Sequence, residues 1–175
     1  IGNDILLNAF DTKEDFLIYR HITDLNMDRP DEHRFNKISD RSVDMYWATV
    51  FYFRKTEGMK MFFDLVTHIR ENWNFYRLIY QIANKNFRND FAFSIAIHML
   101  NGFQRTSWPK MLPGRLWFTS DSDVLLEMKD ESYKFLLDKK HWEGHYNIGA
   151  VDNVNIHIMN KFSLDRAISE VLENE

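Results

Sequence analysis

The segment Asp90–Leu100 constrains this chain more than any other. Phe91, Ala92, Phe93, Ile95, Ala96, Ile97, Met99 and Leu100 leave almost no polar face at helical spacing, and a helix apolar all round has to be enclosed by other elements. Its polar exceptions, Asp90, Ser94 and His98, sit at i, i+4 and i+8 and so stack in one narrow strip. A buried polar group without a partner costs about 1–3 kcal/mol. The strip is therefore expected to face polar groups: either a wet pocket, or backbone N–H groups and core hydrogen bonds close at hand.

A chain of 175 residues can bury a core of its own, and a single α/β domain over 1–175 is expected. Fifteen Phe, seven Tyr and five Trp point to a large aromatic interior rather than disorder. With no Cys, disulfide scaffolds, thiolate zinc sites and Cys nucleophiles are excluded, which fits a reducing, cytoplasmic setting (host cytoplasm for a viral protein). No apolar run reaches the ~18–20 residues of a membrane span. The net charge of −4 gives no overall cationic excess, which disfavours duplex nucleic acid as a partner.

Along the chain, Ile5–Phe10 reads as a strand, and Thr12 as the cap of a helix bearing Phe16, Leu17, Tyr19 and Ile22. Residues 26–44 are polar, with Arg29, Arg34 and Arg41, and read as a mobile or lid-like loop. Met45–Phe53 has the β-branched and aromatic content of a central strand. Thr56 caps a helix with a Met59, Phe62, Phe63, Val66, Ile69, Trp73 stripe, and a second helix is expected to bury Phe75, Leu78, Ile79, Ile82 and Ala83. After Asp90–Leu100, Asn101-Gly102 is a helix stop. Leu116–Thr119, Val124–Met128 and Val154–Met159 read as strands, and Ser163 as the cap of a final helix.

Three further segments have letters that chemistry uses. His157, with Asn160 and Lys161 close behind, combines a metal-competent imidazole with a cation suited to phosphate. Asp121-Ser122-Asp123 can share a divalent ion, but the same letters are common in turns. His141 and His145 in HWEGH lack the Glu that a zinc-protease helix needs after its first His.

Taken together, the strand Trp47–Phe53 with its Phe-rich helix, the Phe87-Arg88-Asn89-Asp90 opening of the buried helix, and His157-Ile158-Met159-Asn160-Lys161 resemble the C-terminal half of glycosyltransferases of the GT-A fold, in particular phage and bacterial relatives. The resemblance spans Asp44 to Leu172. It implies a mixed central sheet flanked by helices, and metal-dependent transfer (Mn²⁺ or Mg²⁺) of a sugar from a nucleoside-diphosphate donor to an acceptor. Asp90 would be the acidic active-site residue with His98 as a second catalytic group. His157 would ligate the metal and Lys161 contact the phosphates, with Asn89, Ser94 and Asn160 on the substrate. The sequence departs from that pattern twice. Asn160 and a shorter spacing replace the family's Gly between His and Lys. No Asp-x-Asp precedes Asp44, so the chain is expected to be the C-terminal portion of a longer one. The other expectation is a non-catalytic structural or interaction protein, such as a phage component, that keeps the fold.

Overall fold

β1 (Phe16–Tyr19) is buried at all four positions, where the spacing of Phe16, Leu17, Tyr19 and Ile22 suggested a helix. Four consecutive bulky residues, covered on both faces, satisfy a middle strand better than a one-faced helix. The Thr12 hydroxyl accepts the Glu14 N–H at 3.1 Å, a local turn rather than a helix cap. The computed structural model describes residues 9, 11–20, 22–26, 37–39, 43–140 and 145–173. Ile5–Phe10 and the three arginines of the 26–44 loop thus fall outside the described residues, apart from Ala9.

The chain is mixed α/β. In place of one central sheet, the described residues form three three-stranded sheets and four helices, grouped in two compact units.

The first unit, described over 9, 11–20, 37–39 and 43–113, is built on β1. That strand pairs antiparallel with β3 (Trp47–Phe53) and parallel with β4 (Lys110–Met111); β2 (Ile22–Asp24) belongs to the other unit. The order β3-β1-β4 makes β3 an edge strand, contrary to its reading as the central one, and most of it is only half-buried. Thr56 caps α1 (Glu57–Glu71) as expected, its hydroxyl accepting the Met59 N–H. Phe62 then meets Phe16 and Phe93 at 4.8 and 5.2 Å between ring centroids. α2 (Trp73–Ile79) turns a different face inward from the one expected. Trp73 and Tyr76 are buried, while Phe75, Leu78 and Ile79 stand in solvent. Trp73 sets that rotation: it stacks on Phe91 at 5.9 Å, and its indole N–H donates to the Lys85 carbonyl. α3 (Asn89–Leu100) is buried from Phe91 to Ile97 and ends at Gly102 with φ +64°, a backbone conformation glycine adopts without strain.

The second unit is described over 22–26, 114–140 and 145–173. β2, β5 (Leu116–Phe118) and β9 (Asn155–His157) form a parallel sheet. β6 (Val124–Lys129), β7 (Ser132–Lys140) and β8 (His145–Asp152) form an antiparallel meander. β7 and β8 were not foreseen. Leu125, Phe135, Leu137, Ile158 and Ala167 make the core under α4 (Lys161–Glu173). The cap of α4 is Asn160 rather than Ser163. The Asn160 side-chain oxygen accepts the Ser163 N–H at 3.1 Å, and Ser163 lies buried in the first turn, accepting the Leu125 N–H.

Candidate functional site

The polar strip of α3 finds partners at every level. The Asp90 carboxylate accepts the Ala48 N–H at 2.9 Å and pairs with Arg88 at 2.6 Å. The Arg88 guanidinium also lies 5.8 Å from the Trp47 ring centroid and 5.3 Å from that of Phe91, within cation–π range. One turn on, the Ser94 hydroxyl accepts the Tyr46 N–H at 2.8 Å and donates to the Asp90 carbonyl at 2.6 Å. Asp90 and Ser94 therefore pin α3 to the start of β3, satisfying edge N–H groups the sheet leaves unused. Asn89 opens the helix and is exposed.

Near its C-terminal end the strip borders a cleft of about 210 Å³, walled by Asp44, Tyr46, Ser94, His98, Arg105 and Thr106 among others. Ser94 is fully buried and forms the floor. Asp44 is held by two guanidiniums, Arg20 at 2.8 Å and Arg105 at 3.3 Å. Arg105 is the more exposed of the two.

Neutral donors complete the wall. Burial pushes the Tyr46 phenol above its ordinary value; Arg20 opposes the rise, Asp44 adds to it and Arg105 opposes it. Burial, with Tyr76 beside it, also pushes Tyr80 up to about 12. The Tyr80 hydroxyl lies 3.1 Å from Nδ1 of His98. A phenol that keeps its proton can donate to Nδ1, and the neutral imidazole then carries its own proton on Nε2. His98 is flanked edge-on by Tyr80 and Phe103, at 5.7 and 5.5 Å.

His157, Asn160 and Lys161 belong to the second unit. His157 pairs with Phe118 in the parallel sheet, and its carbonyl accepts the Thr119 N–H at 3.1 Å. Asn160 caps α4, and the Lys161 ammonium donates to the Ile158 carbonyl at 2.5 Å. Asp123 of the Asp121-Ser122-Asp123 turn is fully buried. It accepts from the Ser120 N–H and hydroxyl at 2.7 and 2.9 Å, from the Asp138 N–H at 2.9 Å and from the Asn26 amide at 3.3 Å. That is a turn-closing role, the reading favoured for those letters. Of the HWEGH segment, only His145 is described.

Of the residues singled out in the sequence, Ser94 and His98 are brought together at the cleft, and Asn160 and Lys161 at the start of α4. Asp44, Tyr46, Tyr80 and Arg105 were missed. They come from three separate segments, and only the cation following the Asn101-Gly102 stop offered a local signal. Among the described residues, no group of three His, Asp or Glu side chains comes together that could hold a metal ion. No helix among them is long and apolar enough to cross a membrane. Comparison of the chain with protein-family models, curated proteins and solved structures gave no match.

Proposed function

We propose that the cleft beside α3 binds a small hydroxyl-bearing ligand with a negatively charged group, a sugar phosphate being the simplest example. The observation that carries this reading is the Arg20–Asp44–Arg105 arrangement. It sets the exposed Arg105 guanidinium beside the hydroxyls of Tyr46 and Thr106 and the imidazole of His98. A planar guanidinium can take two phosphate oxygens at once, while hydroxyl and imidazole groups fix orientation.

Sugar transfer from a nucleoside diphosphate, the activity implied by the GT-A resemblance, is one form of this reading. In that form His98 would position a sugar hydroxyl. Asp90 would act through α3, since its carboxylate is engaged by Ala48 and Arg88. Titration calorimetry with inorganic phosphate, glucose 1-phosphate and nucleoside diphosphates, with and without Mn²⁺, tests both levels. Binding that weakens about tenfold in Arg105→Gln, the scale of one charge-assisted contact, supports the cleft. Equal affinity in both proteins removes it. For the metal-dependent form, turnover and Mn²⁺ response left unchanged by His157→Ala would count against the assigned ligand.

The exposed Phe75, Leu78 and Ile79 of α2 favour a second reading, a non-catalytic interaction protein. Absence of anion binding, together with self-association relieved by Leu78→Ser, would support it over the first.

A further inference from the structure

α2 and α4 each leave an apolar face in solvent, and the two faces sit in settings of opposite charge. On α2, Phe75, Leu78 and Ile79 stand exposed while Trp73 and Tyr76 face inward. Phe103 extends this patch, since it borders one cavity of about 260 Å³ with Ile79, Tyr80 and His98. Phe103 closes α3 with left-handed backbone (φ 62°), its N–H donating to the His98 carbonyl at 2.9 Å. Glycine would close the helix with less strain; the position instead holds a ring that is 65% exposed. Between residues 70 and 88, the cations Arg70, Arg77, Lys85 and Arg88 outnumber the one acid, Glu71.

On α4, Ser163 and Ala167 face inward, while Phe162, Ile168 and Leu172 are exposed, Phe162 at 91%. Asp165, Glu170 and Glu173 occupy exposed positions of the same helix. Its two cations are turned to the unit's own backbone, Lys161 to the Ile158 carbonyl and Arg166 to that of Leu125. The contrast extends to the two units as wholes. Of the 22 Lys and Arg, fourteen fall in the first unit's span and eight in the second's; of the 26 Asp and Glu, eleven and fifteen do. The spans therefore carry formal charges of +3 and −7, which together make the −4 of the chain.

Resting on the reading of the α2 face as an interaction surface, we propose that its occupant is α4 of a second copy of this chain, so that copies associate head to tail. Contiguous exposed apolar patches mark such surfaces, and charge decides between the pairings available. α2 against α2 would set the same four cations against one another, and α4 against α4 would do so with carboxylates; like charges across an interface are costly. α2 against α4 sets cations beside carboxylates. Phe162 and Leu172 are also suited to the cavity at Ile79 and Phe103, because interface anchors fill pockets on the partner. A contact that uses a different face on each copy leaves one face of every end copy open, so association continues until a ring closes.

Sedimentation velocity on the full chain, from about 1 to 100 μM, the span of moderate affinities, tests this at low ionic strength, where charge is least screened. The average mass of the parent is expected to rise with concentration to at least about twice that of the monomer. Leu78→Asp and Leu172→Asp are each expected to remain monomeric. Mixed in equal amounts, they are expected to form a complex of about twice the monomer mass that grows no further, since each variant retains the face the other lacks. Thermal melting checks that the variants are folded, and Leu78→Ser or Leu172→Ser replaces one that is not. If Leu172→Asp associates as the parent does, the α4 proposal is overturned while the α2 face stands. If Leu78→Asp does so, or the parent stays monomeric, the reading of the α2 face fails with it. Two monomeric variants that stay apart when mixed also overturn the proposal.

Discussion

The Tyr80 hydroxyl and Nδ1 of His98 meet at 3.1 Å, which ties the end of α2 to the last turn of α3 through one polar contact. Of the three polar residues in the α3 strip, His98 alone reaches toward the cavities through a side-chain partner rather than through backbone groups. Tyr80→Phe is expected to cost about 1 kcal/mol of stability, as for one neutral hydrogen bond. ¹⁵N NMR of the imidazole is expected to show the Nε2–H tautomer in the parent protein and a mixture in the variant. An unchanged tautomer would mean that Tyr80 does not set it.

Ser94 makes a sharper structural prediction. Its hydroxyl is the acceptor for a buried Tyr46 N–H, so Ser94→Ala strands that donor and is expected to cost about 1–3 kcal/mol in chemical denaturation. Ser94→Thr keeps the hydroxyl but crowds a fully buried site, and Ser94→Gly adds about 1 kcal/mol of helix penalty, so Ser94→Ala is the reference for the hydrogen bond; an unchanged stability in it would contradict the role of the hydroxyl.

Tyr19 contributes to the alkaline limb of stability, alongside Tyr46 and Tyr80, whose phenols burial also pushes up. Its phenol is buried, donates to the Pro113 carbonyl at 3.2 Å and is pushed up to about 12 by that burial. The unfolded chain ionises near 10, so this contribution is intact below pH 10 and is lost as pH rises toward 12. Between those limits the loss from Tyr19 is about 2–3 kcal/mol. The slope of unfolding free energy against pH is expected to be shallower in Tyr19→Phe than in the parent. Parallel slopes would contradict it.

In the second unit, Asp123 is the residue whose removal should matter most. Four donors converge on a carboxylate with no solvent exposure. Asp123→Ala is expected to destabilise the unit by about 3 kcal/mol or more, because buried N–H groups lose an ionised acceptor. Asp121→Ala, at the exposed end of the same turn, is expected to change little. Equal effects would show that the turn does not depend on the buried carboxylate.

These elements also show what could be read from the letters. α1, α3 and their end signals were legible because local chemistry decides them: a Thr hydroxyl at the start of one, Asn-Gly at the end of the other. β1 was not, because Phe16, Leu17 and Tyr19 fit either period, and only the strands on both sides of it select the extended form. The inward face of α2 was misassigned because Trp73, one bulky anchor, outweighs three aliphatic and aromatic residues at helical spacing. The strip on α3 was visible, and so was its need for partners. That most of those partners are β3 backbone groups, and that Asp44 carries two arginines from distant segments, depends on tertiary contacts that no spacing encodes.

Whether the Arg105 guanidinium at the cleft attracts an anion decides the functional reading. The most direct measurement is an amide and side-chain NMR titration with inorganic phosphate at low ionic strength, where a surface-accessible charge is least screened. Saturable shifts concentrated at Tyr46, His98 and Arg105, and lost in Arg105→Gln, are the expected result. Shifts spread evenly over exposed Lys and Arg, or identical in the variant, would contradict it.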